Sequence, residues 1–224
     1  MIVLGEASLP VSVSPHPETQ TMSSPIDFHF DYSSPYGYLA SERIEALAAR
    51  HGREVVWRPL LLGAVFKVTG QRPLTEAPMK GEYALMDFHR SAREHDIAFT
   101  QPETFPIGAV AAKRATLWLR DHDDEAMRAR TVPLIHALYR AYYRDGRDIS
   151  PAATVVEIAA GEGIERDALE AALGAQAIKD RLRAEVERAI GKGVFGSPSF
   201  IVDGELFWGH DRLEMLDRWL TERW

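Results

Sequence analysis

Apolar and polar side chains alternate over Ile26–Asp31, and the run IDFHFD is rich in aromatics, which predicts a strand. Beyond it the period lengthens. Tyr36, Leu39, Ala40, Ile44, Leu47 and Ala48 recur every three or four residues and share one face of a helix. Serine caps a helix start and proline fits its first position, so the helix opens at Ser34-Pro35; it ends at Gly52. Glu54–Leu60 reads as a second strand. Strand, helix and strand in this order form a βαβ unit with parallel strands.

From Gly63 to Pro78 the turn signals TGQRP and EAP predict a loop. Helical periods then run through Lys80–His95, Pro106–His122, Asp124–Arg144, Ser150–Gly161, Arg166–Gly174 and Ala175–Lys192. The acidic run DHDDE at 121–125 separates two of these helices and reads as an N-cap and a solvated turn. After the glycine-rich Gly191–Gly196 comes a short strand, Ser199–Val202. Asp203-Gly204 is a hairpin turn and Glu205–Trp208 the return strand. Asp211 then caps a last helix with Leu213, Leu216 and Leu220 on one face.

Joining βαβ to ββα predicts an α/β fold, a thioredoxin-like four-stranded mixed sheet with a large all-helical insertion. The chain divides into an N-terminal tail (1–24), a thioredoxin-like domain (25–62 and 176–224) and a helical insertion domain (63–175). No segment remains for the further parallel strands of a Rossmann dehydrogenase, and GxGxxG is absent.

Composition narrows the function. The 224 residues carry 26 Lys and Arg against 33 Asp and Glu, a net charge of −7, which disfavours nucleic acid as a partner. No apolar run approaches the roughly 18 residues of a membrane span. The first stretch, MIVLGEASLPVSVSPHPETQTMSS, has no Lys or Arg and lacks the long apolar core of a secretory signal. It reads as a flexible tail on a cytoplasmic protein, with Met22 as an alternative translation start. The eight histidines include no HExxH and no i, i+4 pair, so no metal site is expected. Cysteine is absent, which removes disulfides, thiolate metal sites and any cysteine nucleophile; a thiol, if one is used, arrives on a ligand.

Three motifs can carry chemistry. At Ser33-Ser34-Pro35-Tyr36-Gly37 the turn after the first strand meets a helix N-terminus, whose free N–H groups favour an anion. Redox members of this fold place Cys-x-x-Cys here; Ser34-Pro35-Tyr36-Gly37 replaces the first sulfur with a hydroxyl and loses the second, so disulfide exchange is impossible. At Phe195-Gly196-Ser197-Pro198-Ser199 a cis-proline before the third strand exposes the Ser197 backbone, which can pair with a peptide-like ligand. At Trp208-Gly209-His210-Asp211-Arg212 a capping carboxylate can also hold an ammonium.

Together, SSPYGYLA after the first strand, MKGEY, VFGSPSF and FWGHDRLEML give a chain that resembles the family of 2-hydroxychromene-2-carboxylate isomerases and kappa-class glutathione transferases, relatives of DsbA. The resemblance runs from about Ile26 to Trp224. It implies glutathione as cofactor, with Ser34 beside its sulfur as the catalytic residue. Gln71 and Lys80 would touch the tripeptide, Ser197 and Pro198 would pair with its backbone, and His210 and Asp211 would hold its γ-glutamyl end. Hydrogen bonding and the helix terminus would bring the thiol from about 8.5 to about 6–7.5. The implied reaction is cis–trans isomerisation of a ring-opened aromatic carboxylate, with Lys80, Arg72 or Arg90 as candidates for its carboxylate, in a homodimer. Alternatives are a kappa-like transferase or peroxidase using the same thiolate, and a non-catalytic thioredoxin-like binding module.

Overall fold

The computed structural model describes residues 24–222 and 224; apart from Ser24, the expected tail lies outside the described residues. Four strands make one mixed sheet in the order β2 (Val55–Pro59), β1 (Ile26–Phe30), β3 (Ser199–Val202), β4 (Glu205–Trp208). β1 runs parallel to β2, with Phe28 beside Trp57, and antiparallel to β3, with Phe28 beside Phe200. β3 and β4 form the expected hairpin, turning at Asp203 and Gly204, both with positive φ. This is the thioredoxin-like sheet that the sequence predicts.

Helix α1 (Pro35–Arg50) links β1 to β2. The helical block follows: α2 (Leu62–Thr69), α3 (Lys80–Glu94), α4 (Val110–Arg120), α5 (Glu125–Arg128), α6 (Thr131–Tyr143), α7 (Ala152–Gly161) and α8 (Arg166–Gly174). Then α9 (Gln176–Gly191) leads into the hairpin, and α10 (Leu213–Glu222) closes the chain.

Three expectations need correction. The loop from Gly63 to Pro78 is helical over Leu62–Thr69. That helix has no side-chain cap of its own, and the Leu62 N–H is satisfied by the Asp31 carboxylate at 2.8 Å. The helix predicted from Pro106 begins only at Val110, because the Ile107 N–H goes to Ser33 Oγ at 3.0 Å and Ala109 takes a positive φ. The helix predicted over Asp124–Arg144 is two, broken at Ala129 and Arg130. Pro133 has no N–H to continue a helix from behind, but it fits the first turn of a new one.

The alternation of β1 sorts its side chains between two buried faces. Ile26, Phe28 and Phe30 enter the main core, where Phe28 stacks on Phe200 at 5.1 Å and meets Trp57 edge-on at 5.0 Å. Asp27 and His29 enter the other face, which is closed by charge. There Asp27 pairs with Arg58 and Lys192, and the buried Glu185 of α9 pairs with Arg58, Arg120, Arg181 and Arg188. Burial pushes His29 down to about 4, which keeps it neutral. Burial alone would raise the Glu185 carboxyl, but the arginines, Arg120 foremost, outweigh it and hold the group at about 2.

A carboxyl depressed in the fold stabilises it above the unfolded value and loses that contribution as pH falls through the folded one. For Glu185 the window runs from 4.5 down to about 2. Acid titration monitored by tryptophan fluorescence should show a stability decline in that range. In Glu185→Gln the gap between stability at neutral pH and in the acid range should shrink.

Candidate functional site

β1 ends at Phe30, and Asp31 turns the chain into α1. The Ser33 N–H donates to Asp31 Oδ1 and the Ser34 N–H to the Asp31 carbonyl, both at 2.9 Å. Ser34 is therefore fixed as the N-cap of α1: its Oγ accepts from the Gly37 N–H at 3.0 Å. The same hydroxyl donates across the gap to the Ser197 carbonyl at 2.9 Å. The Ser197-Pro198 peptide is cis, as expected, and Ser197 Oγ accepts from the Asp31 N–H at 2.9 Å. Two segments far apart in sequence thus meet at Ser34.

Gly37 stands where a redox relative carries its second sulfur. A Cβ there would lie 2.9 Å from Tyr139 Oη and 3.0 Å from Ser197 Oγ. That is closer than side-chain carbons pack, so the site has no room for a second sulfur without moving Tyr139.

A cavity of about 1130 Å³ opens in front of Ser34. It gathers all the residues singled out from the sequence: Ser34, Gln71, Lys80, Ser197, Pro198, His210 and Asp211. Arg72 also lines it. Arg90 lies outside its lining and is paired with Asp87 at 3.2 Å. Ligand sites usually hold about 300–1,000 Å³, so this one has space for two small molecules side by side. Phe66, Phe88, Phe105 and Ile107 give it an apolar part of its wall.

The last motif needs one correction. Asp211 does not cap α10; it lies in a 3-10 turn over His210–Arg212, and its carboxylate meets the Arg212 guanidinium at 2.8 Å. Gly209, with φ 115°, allows this, since a Cβ there would strike Asp211 Oδ1. Asp211 lines the cavity with its carboxylate held by Arg212. His210 is buried and stacks on the Tyr36 ring at 4.8 Å and 6°. Burial lowers its pKa, which favours the neutral ring.

Sequence reasoning missed the support beneath the site. Asp31 and Lys113 form an ion pair at 2.8 Å, both almost fully buried in the cavity wall. Lys113 also donates to the Gly108 carbonyl at 2.6 Å. The Asp31 carboxylate thereby joins three segments, the Ser33 turn, the start of α2 and α4. The only signal in the sequence is a charged residue closing an apolar strand. By its spacing Tyr36 belongs to the apolar face of the helix. Its hydroxyl in fact donates to Asp87 Oδ2 of α3 at 2.7 Å.

Residues 25–221 match the family model described as DSBA-like thioredoxin domain. Among curated relatives, the 2-hydroxychromene-2-carboxylate isomerase of Sphingobium xenophagum is 28% identical over 203 residues, covering 90% of this chain and 100% of that protein. Glutathione S-transferase kappa 1 of Rattus norvegicus is 25% identical over 211 residues, covering 89% and 92%. Among solved structures, a 2-hydroxychromene-2-carboxylate isomerase superposes with a TM-score of 0.78 at 24% identity, covering 88% of this chain and 95% of that one. The cytosolic disulfide reductase DsbM from Pseudomonas aeruginosa with GSH superposes with a TM-score of 0.58 at 18% identity, covering 88% and 96%.

Proposed function

Because this chain belongs to the DsbA-like thioredoxin family yet carries no cysteine, we propose that it borrows its thiol and works as a glutathione-dependent cis–trans isomerase of the 2-hydroxychromene-2-carboxylate type. One observation carries the reading: the Ser34 hydroxyl stands at a helix N-terminus, opposite the Ser197 carbonyl, in a cavity large enough for a tripeptide and an aromatic acid. The relatives named for this isomerase support the choice of reaction. On the same resemblance we assign the protein to aromatic degradation, as a cytoplasmic homodimer.

The lining fits glutathione in its donor set. Ser34 and the N-terminal end of the α1 dipole suit a thiolate, and the Ser197 backbone suits a peptide bond. Lys80 and Asp211 offer opposite charges to the carboxylates and ammonium of the tripeptide. Glutathione, when bound, supplies a thiolate nucleophile that makes a conjugated double bond temporarily single. Ser34 donates a hydrogen bond to the sulfur and so favours its charged form. Lys80 and Arg72 orient a substrate carboxylate. The apolar wall of Phe66, Phe88 and Phe105 holds the ring and excludes water.

Calorimetric titration with glutathione is the test. Saturable binding is expected in the wild type. Asp211→Ala should weaken it about tenfold or more, the equivalent of one charge-assisted hydrogen bond. No binding at millimolar glutathione would remove the reading. A kappa-like conjugation is the second reading, favoured by the kappa transferases among the relatives. Free thiol counted before and after turnover separates the two: isomerisation leaves it constant, conjugation consumes it.

A further inference from the structure

We propose that Tyr36 and Asp87 form a proton relay for the hydroxyl of the aromatic ligand. The proposal rests on the isomerase reading above and adds to it the step by which the ring is opened.

Tyr36 lines the cavity together with Ser34. Its ring is clamped between His210, stacked at 4.8 Å, and Phe88, edge-on at 5.0 Å. Its proton goes to Asp87 Oδ2 at 2.7 Å. The other oxygen of Asp87 takes the Tyr83 hydroxyl at 3.3 Å and the Arg90 guanidinium at 3.2 Å. A phenol that gives its proton to a carboxylate offers only lone pairs to other partners. Tyr36 Oη can thus only accept from a ligand in this cavity, and a ligand hydroxyl is what suits it.

Several other charged groups lining the cavity are less suited to the role. Lys80, Arg72 and Arg212 have no acceptor atom when charged. Asp31 is held by Lys113 and two backbone N–H groups. Tyr36 and Asp87 are joined by a short hydrogen bond along which a proton can pass.

The chemistry needs such a path. A cyclic hemiketal opens when its O–H proton leaves, a C=O forms, the bond from that carbon to the ring oxygen breaks and the oxygen, left on the aromatic ring, gains a proton. In the relay the hemiketal proton passes to Tyr36 Oη as the Tyr36 proton passes to Asp87 Oδ2. The departing phenolate then recovers a proton from Tyr36, and Asp87 returns the one it holds. No proton is gained or lost overall, and no co-reactant is required.

The test compares binding of trans-o-hydroxybenzylidenepyruvate with that of its o-methoxy counterpart, by fluorescence titration of the full chain. A site built around a hydrogen bond to a hydroxyl rejects the analogue that lacks it. The wild type should prefer the hydroxy compound by about tenfold or more, and Tyr36→Phe should bring the ratio to within about twofold. Equal binding in the wild type, a preference that survives Tyr36→Phe, or binding of neither compound overturns the proposal. Asp87→Asn keeps a hydrogen-bond acceptor but cannot take the proton. It should lower kcat about tenfold or more with KM near the wild-type value, and unchanged kcat overturns its part in the relay. Glutathione titration of the same samples reports on the cofactor reading separately, because the binding ratio needs no turnover.

Discussion

Ser34→Ala should lower turnover about a hundredfold while glutathione still binds. Removing a single preorganised donor from a developing or standing anion typically costs a factor of about 10²–10³ in kcat. Here the donor is a buried hydroxyl held at the N-cap of α1, so it acts at the positive end of that helix's dipole. Without it the helix terminus still attracts the sulfur, but the directed hydrogen bond is gone. The bound thiol should then titrate about 1–2 units higher, since a hydrogen bond to a charged group is worth about 1.5–3 kcal/mol. Thiolate absorbance near 240 nm against pH reads this directly. Losing the cap costs a further ~1 kcal/mol of stability, because the Gly37 N–H loses its acceptor. Full turnover in Ser34→Ala, with the thiol titrating as in the wild type, would remove serine from the mechanism.

The largest stability loss is expected at Asp31. Asp31→Ala leaves the Lys113 ammonium buried without its counter-charge and strips acceptors from the Ser33 and Leu62 N–H groups. Removing one partner of a buried pair costs about 3–5 kcal/mol. At about 2–4 °C per kcal/mol for a chain of this size, Tm should fall by roughly 6–20 °C. Replacing both charges, as in Asp31→Leu with Lys113→Met, should recover part of the loss, because an apolar pair avoids the uncompensated charge. Recovery should stop short of wild type, since the two backbone N–H groups remain without a partner. A Tm within 2 °C of wild type in the single variant would mean that the pair is not a structural joint.

What the sequence revealed and what it hid divides along contact distance. All four strands were legible because alternation and the Asp203-Gly204 turn are local signals. So was the meeting of Ser34 with Ser197-Pro198, once the element order implied the sheet. Helix α2 was hidden because its first N–H is capped by Asp31, 31 residues earlier. The start of α4 was hidden for the same reason, with Ser33 and Lys113 holding the chain before it. Asp211 looked like a cap because an acid before an apolar run usually is one; the turn built on Gly209 gives its carboxylate to Arg212 instead. Tyr36 fitted a helical apolar stripe, and nothing in the stripe shows that its hydroxyl reaches Asp87, 51 residues away.

The hydrogen bond from Ser34 to the Ser197 carbonyl has a bearing on which thiols the site can use. That carbonyl is also the acceptor that an added peptide strand needs. On the glutathione reading the Ser34 hydroxyl has to turn from this carbonyl to the sulfur, and a peptide N–H on the same oxygen would replace the bond that the carbonyl loses. A small thiol with no peptide N–H would leave that carbonyl without a donor once the serine turns. A preference for peptide thiols over simple ones would then arise in part at a single shared oxygen, ahead of any recognition by the surrounding side chains.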